Sequence, residues 1–186
     1  MNVIFTCGGT GGHIYPAIAV AKLLRSRKPD CNILFIGAED GMETKLVPRE
    51  GFRLETLKIS NYQRKFTPAA MWHNVTTLLH MRASLRRAGR LIDEFQPDVV
   101  VLDLVLASVD GMSLLARLQA KEKPPRVIVT SAIYNDEVLM ECADLGTMYF
   151  MQKPVDPPLL VYRIRQTARP RRRTGSLCAQ LDAPEP

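Results

Sequence analysis

The chain is poor in the residues that build metal centres and disulfide frameworks. Its four cysteines (Cys7, Cys31, Cys142 and Cys178) form no C-x-x-C pair, and none of the three histidines stands at ligand spacing from them. That excludes a zinc cluster and a stapled extracellular scaffold as readings of the sequence. Aromatic residues make up only 6%, with a single tryptophan. No segment approaches the roughly 18 consecutive apolar residues that a membrane-spanning helix needs. The apolar start Met1–Cys7 is too short for a signal-peptide core and runs into glycines. The expectation is a cytoplasmic protein with reduced thiols. No internal repeat is visible.

What is present is ordinary for a globular chain: 186 residues, 46% hydrophobic and 24% charged, enough for one α/β core and a tail. The net charge of +6 comes partly from two local runs, Arg82 to Arg90 and Arg169 to Arg173. This points only weakly to an anionic partner, and nucleic acid is not the expected one.

Hydrophobic periodicity alternates between short β-rich runs and helical spacing. Strands are expected at Asn2–Thr6, Asn32–Ile36, Leu54–Ser60, Val99–Leu104, Arg126–Thr130 and Tyr149–Gln152. Helices are expected at Tyr15–Arg27, Met42–Glu50, Pro68–Phe95 with an interruption at Gly89, Met112–Lys121, Glu137–Asp144 and Pro158–Gln166. Gly51 should close the second helix in the left-handed conformation. Val99–Leu104 lacks polar alternation, as a central parallel strand covered on both faces should. Alternating strands and helices predict a parallel α/β sheet with right-handed crossovers. From Thr167 onward the Arg/Pro-rich sequence has no periodicity, and residues 167–186 read as a disordered basic tail.

Gly8-Gly-Thr-Gly-Gly-His13 lies between the first strand and the first helix. Glycines there let the backbone approach a ligand, and the free N–H groups of a helix start attract phosphate. A tight turn with no ligand is the other reading of these glycines taken alone. The longer strings GGTGGHIYPAIAVA and FIGAEDGMETKLVPREGF resemble the MurG family of peptidoglycan N-acetylglucosaminyltransferases over about the first hundred residues. The resemblance implies binding of an undecaprenyl-linked diphosphate acceptor, with Thr10, Gly11, Gly12 and His13 as acceptor-loop residues. His13 would polarise a hydroxyl or contact the diphosphate, or else cap the helix that follows it. The basic and aromatic segment Asn61–Phe66, with Trp72, allows contact with an anionic membrane surface, so a peripheral position at the inner face of the cell membrane is the refined expectation. A solvated basic helix face is the commoner explanation of such a segment. The family's later glycine-rich loop and its donor domain have no counterpart in the sequence, so a truncated glycosyltransferase without transfer activity is expected.

From Pro97 a second pattern begins. PDVVVLDLVLASVDGMSLL, then IVTSA, then YFMQKP resemble, in order, the central strand and following elements of response-regulator receiver domains of the sporulation type. The resemblance implies that Asp103 is a phosphoacceptor, Ser131 a hydroxyl bonding the phosphoryl group, Lys153 its cation and Phe150 the switch aromatic. It also implies a protein partner for this half. Pro154 suits the cis bond of that family. Ala107 replaces the usual proline, and Cys7-Gly8-Gly9 replaces the acidic pair that, with Asp103, would hold Mg²⁺. A lone carboxylate is a poor site for that cation, so Mg²⁺ is expected only if the receiver site functions, and no other cofactor is expected.

Both parent folds place the strand at Val99 beside strand one. The expectation is therefore a single hybrid unit over 1–166, glycosyltransferase-like for 1–100 and receiver-like for 101–166. It should be a three-layer Rossmann-like or flavodoxin-like parallel sheet of order 3-2-1-4-5-6. A product of recombination or assembly with no selected function is the remaining alternative.

Overall fold

A computed structural model of the chain describes residues 1–8, 11–57, 84, 86–104 and 111–168. Six parallel strands run β1 (Asn2–Thr6), β2 (Asn32–Ala38), β3 (Arg53–Leu57), β4 (Val99–Asp103), β5 (Arg126–Ser131) and β6 (Tyr149–Gln152). Their spatial order is β3-β2-β1-β4-β5-β6, as expected of the Rossmann-like class. The helices are α1 (Gly11–Arg27), α2 (Glu43–Arg49), α3 over 86–95, α4 (Gly111–Gln119), α5 (Asp136–Asp144) and α6 (Pro157–Ala168).

Strand alternation divides the core into two layers. Val3, Phe5, Phe35, Val99, Val101 and Ile128 face α1, α2 and α6, where Ile14, Ile18, Leu24, Val47 and Ile164 meet them. Ile4, Leu34, Val100, Leu102, Val127 and Val129 face the other way, onto Ala88 and Ile92 of α3, Leu115 and Leu118 of α4, and Cys142 of α5. Every residue of β4 is buried, which explains its unbroken aliphatic run: a strand covered on both faces has no polar side to alternate with.

Two helices end as their glycines demand. Gly51 (φ 72°) and Gly146 (φ 78°) take the left-handed conformation. Behind α2, Gly51 N–H donates to Pro48 O and Phe52 N–H to Val47 O. Behind α5, Gly146 N–H donates to Ala143 O and Thr147 N–H to Cys142 O. Both are the Schellman pair of bonds that satisfies the last carbonyls.

Other boundaries moved. α1 starts at Gly11, four residues before Tyr15, and runs through Pro16. Proline is best tolerated in a first turn, whereas apolar spacing alone places the start at Tyr15. The structure instead gives up one bond near the helix start and keeps Gly11–His13 helical. Gly89 does not interrupt α3. The expected segments 58–83 and 169–186, including Asn61–Phe66, Trp72 and Arg169–Arg173, lie outside the described residues, as do Thr10 and Ala107.

Gly111 heads α4 where a Cβ would stand 2.6 Å from Leu104 Cα and 2.7 Å from Leu104 O, both backbone. Alanine in a helix ordinarily stabilises relative to glycine. Here the sign reverses: Gly111→Ala should lower stability by about 1–3 kcal/mol, read as a shift of the urea midpoint at unchanged slope. Cys7, at the end of β1 and 2% exposed, has its thiol pushed up from 9.0 to about 12, by burial first and then by the Glu43 and Asp103 carboxylates. An unfolded chain loses this proton near its ordinary value and the folded chain does not. The unfolded state therefore binds fewer protons across that window, and stability should fall as pH rises through it. In the native protein at pH of about 8.5, a mildly raised value at which an ordinary thiol reacts, iodoacetamide should leave Cys7 unmodified. In urea it should alkylate it, as peptide mass spectrometry would reveal.

Candidate functional site

The carboxyl ends of parallel strands are where an open α/β sheet collects its chemistry, and the charged residues singled out by sequence converge there. Asp103 ends β4, 3% exposed, and its backbone N–H donates to Thr6 Oγ1 of β1 at 2.9 Å. His13, in the first turn of α1, brings Nδ1 to 2.7 Å from Asp103 Oδ2. Lys153, just past β6, brings Nζ to 2.5 Å from the same oxygen and 2.8 Å from His13 Nδ1. The Lys153–Pro154 peptide is cis. The three side chains are 23%, 3% and 18% exposed for His13, Asp103 and Lys153. Beneath them a cavity of about 30 Å³ is lined mainly by apolar side chains of β1, α1 and α6, including Phe5, Val20 and Leu160.

These atoms form a triangle that standard protonation cannot satisfy on all sides. Ammonium only donates and carboxylate only accepts. If His13 carries its proton on Nδ1, both cationic-side donors converge on Asp103 and the Lys153–His13 edge is donor against donor. If the proton is on Nε2, His13 accepts from Lys153 and the Asp103–His13 edge sets two acceptors 2.7 Å apart. The first arrangement gives the buried carboxylate two donors and is the lower in energy.

The other expected residues are placed differently. Ser131 is fully buried, and its Oγ accepts from Ile133 N–H at 3.0 Å, stitching the turn after β5. Phe150 lies half-buried on the opposite layer, its ring 6.0 Å from that of the exposed Tyr134. Gly11 and Gly12 form the first turn of α1, and a Cβ on Gly11 would sit 3.1 Å from Tyr15 Cε2.

The site does not suit Mg²⁺. Asp103 Oδ2 is already held by two nitrogens, Cys7 stands protonated where a carboxylate would be needed, and no group of three or more His, Cys, Asp or Glu side chains able to hold a metal exists among the described residues.

Sequence reasoning missed Glu43. It is fully buried at the start of α2, with Oε1 accepting from Ala38 N–H at 2.7 Å and Oε2 without a partner among the described residues. A Cβ on Gly37 or Gly41 would fall 2.6 Å and 2.1 Å from its side chain. The signal was legible as Gly37 and Gly41 closing on a carboxylate two residues later. It also missed the meeting of His13 with Asp103, which are 90 residues apart.

A family profile described as the glycosyltransferase family 28 N-terminal domain matches residues 3–123. The UDP-N-acetylglucosamine–N-acetylmuramyl-(pentapeptide) pyrophosphoryl-undecaprenol N-acetylglucosamine transferase of Thermoanaerobacter sp. (strain X514) is 42% identical over 101 residues, covering 54% of this chain and 27% of that protein. The enzyme of the same name from Clostridioides difficile (strain 630) is 38% identical, covering 54% and 24%. The chain thus spans 27% or less of the length of these two curated relatives. Among solved structures, MurG of Acinetobacter baumannii superposes with a TM-score of 0.55 at 20% identity, covering 81% of this chain and 40% of that one. The receiver domain of a DNA-binding response regulator from Colwellia psychrerythraea 34H gives 0.53 at 17%, covering 89% and 96%. At these identities both share the fold with this chain, and the sheet resembles each. No helix among the described residues is long and apolar enough to cross a membrane. By the match over residues 3–123, which takes in the glycine-rich turn, β1 to β4 and α4, the chain belongs to the glycosyltransferase family 28 N-terminal domain family.

Proposed function

We propose that residues 1–166 work as one hybrid unit that binds a lipid-linked diphosphate acceptor and does not by itself transfer a sugar to it. The family match across the glycine-rich turn carries this reading. In support, that turn opens a 17-residue helix at the carboxyl end of the sheet, with His13 and Lys153 adjoining. The N–H groups of a helix start and the helix dipole suit a diphosphate. Thr10 would complete the loop. The relatives are named for a pyrophosphoryl-undecaprenol substrate, which supports the acceptor class. Beyond the match, β5 and β6 complete the same sheet rather than opening a second one, which supports binding without transfer. An inner-membrane-face location follows from such a ligand.

Vesicles carrying an undecaprenyl diphosphate lipid should retain the protein, and vesicles of neutral lipid should not. Gly11→Asp adds an anion at the helix start and should weaken retention about tenfold, with His13→Ala weakening it less. Equal retention by both vesicle types would refute the reading. With UDP-N-acetylglucosamine supplied, no transfer product should form.

A second reading, a receiver-like phosphorelay module with Asp103 as acceptor, is favoured by the Lys153–Asp103 pair. It calls for an acyl phosphate on Asp103 after incubation with acetyl phosphate and Mg²⁺. The metal fit tells against it, so alkali-labile labelling should be absent in the wild type.

A further inference from the structure

The meeting of His13 with Asp103 creates a group that neither stretch of the chain holds by itself. Asp103 is buried and takes the Nδ1 side of the imidazole at 2.7 Å. With the proton on Nδ1, the lone pair sits on Nε2. No described residue offers Nε2 a hydrogen bond, and the ring is 23% exposed. A carboxylate fixed behind Nδ1 holds the tautomer and makes the far nitrogen more nucleophilic, as in Asp–His pairs generally. His13 also lies in the first turn of the 17-residue α1, and helical side chains lean toward the N-terminus. A dianion attached to Nε2 would meet the positive end of that helix.

We infer that His13 is a phosphoryl-accepting histidine, modified at Nε2 by small high-energy phosphoryl donors of the acyl phosphate or phosphoramidate class. In the step with acetyl phosphate, the Nε2 lone pair attacks phosphorus. The N–P bond forms, the P–O bond to the acyl oxygen breaks, and acetate leaves with its electron pair. The Nδ1 proton stays shared with Asp103, whose negative charge offsets the positive charge that develops on the ring. Lys153 holds the carboxylate in place through the same Oδ2 and acts as a positioning residue. The inference is independent of acceptor binding and differs from the receiver-like reading in the atom modified.

The test incubates the full chain with acetyl phosphate or phosphoramidate, with and without Mg²⁺, and follows intact mass and the chemistry of the linkage. The expected product carries one phosphoryl group, stable to alkali, lost in acid and mapped to His13 by tandem mass spectrometry. His13→Gln should abolish it. Asp103→Asn can donate an amide N–H to Nδ1, favouring the wrong tautomer, and should slow labelling at least about tenfold without abolishing it. Circular dichroism checks that both variants are folded, and the linkage chemistry of the wild type stands apart from either variant. An alkali-labile label that survives His13→Gln and disappears in Asp103→Asn would overturn the inference in favour of an acyl phosphate on Asp103. Absence of any label on folded wild type would overturn it outright.

Discussion

β4 lies against β1 in a short parallel ladder, Val3 opposite Val99, Ile4 opposite Val100 and Phe5 opposite Val101, and the rest of the sheet hangs from this contact. At its lower end Asn2 and Asp98 exchange bonds, Asn2 N–H to Asp98 Oδ2 at 2.8 Å and Asp98 N–H to Asn2 O at 2.9 Å. At its upper end Thr6 Oγ1 accepts from Asp103 N–H. β5 pairs only with β4 and β6, so the last two strands reach the first three through β4 alone. Burial on both faces makes this seam strong: each aliphatic side chain removed from water stabilises by about 1.5–3 kcal/mol, and Val99 to Leu102 are all 5% exposed or less. α1 against α6 gives a second tie above the same seam.

The seam also sets the chemistry. Once β1 and β4 are in register, the residue ending β4 must face the turn that follows β1. Asp103 is thereby brought to His13, and the pairing of β6 on β5 brings Lys153 to both. A carboxylate this buried needs donors, and it finds two nitrogens. The same pairing occupies Asp103 Oδ2 with protein nitrogens rather than leaving that oxygen open to a cation. Glu43 is the counterexample nearby: it too is buried, but one of its oxygens has no partner among the described residues, and two glycines are required to make room for it.

Much of the architecture was legible in the chain. The aliphatic run at Val99, the glycine at 51 and the alternation of short strands with helices each reflect a local rule, and the strand order followed from both resemblances. Helix starts were less legible, because propensity disfavours glycine, and Gly11 and Gly12 are helical in the fold all the same. Residue types and spacing determined by themselves that a parallel sheet forms, which strand is central and that the glycine-rich turn stands at its carboxyl end. That His13 reaches Asp103, that Ser131 turns inward to hold Ile133, and that Glu43 is enclosed were decided only by tertiary structure. Hydrophobic periodicity reports which face of an element is buried. The meeting of polar groups distant in sequence depends on strand register and helix docking, which no local pattern encodes.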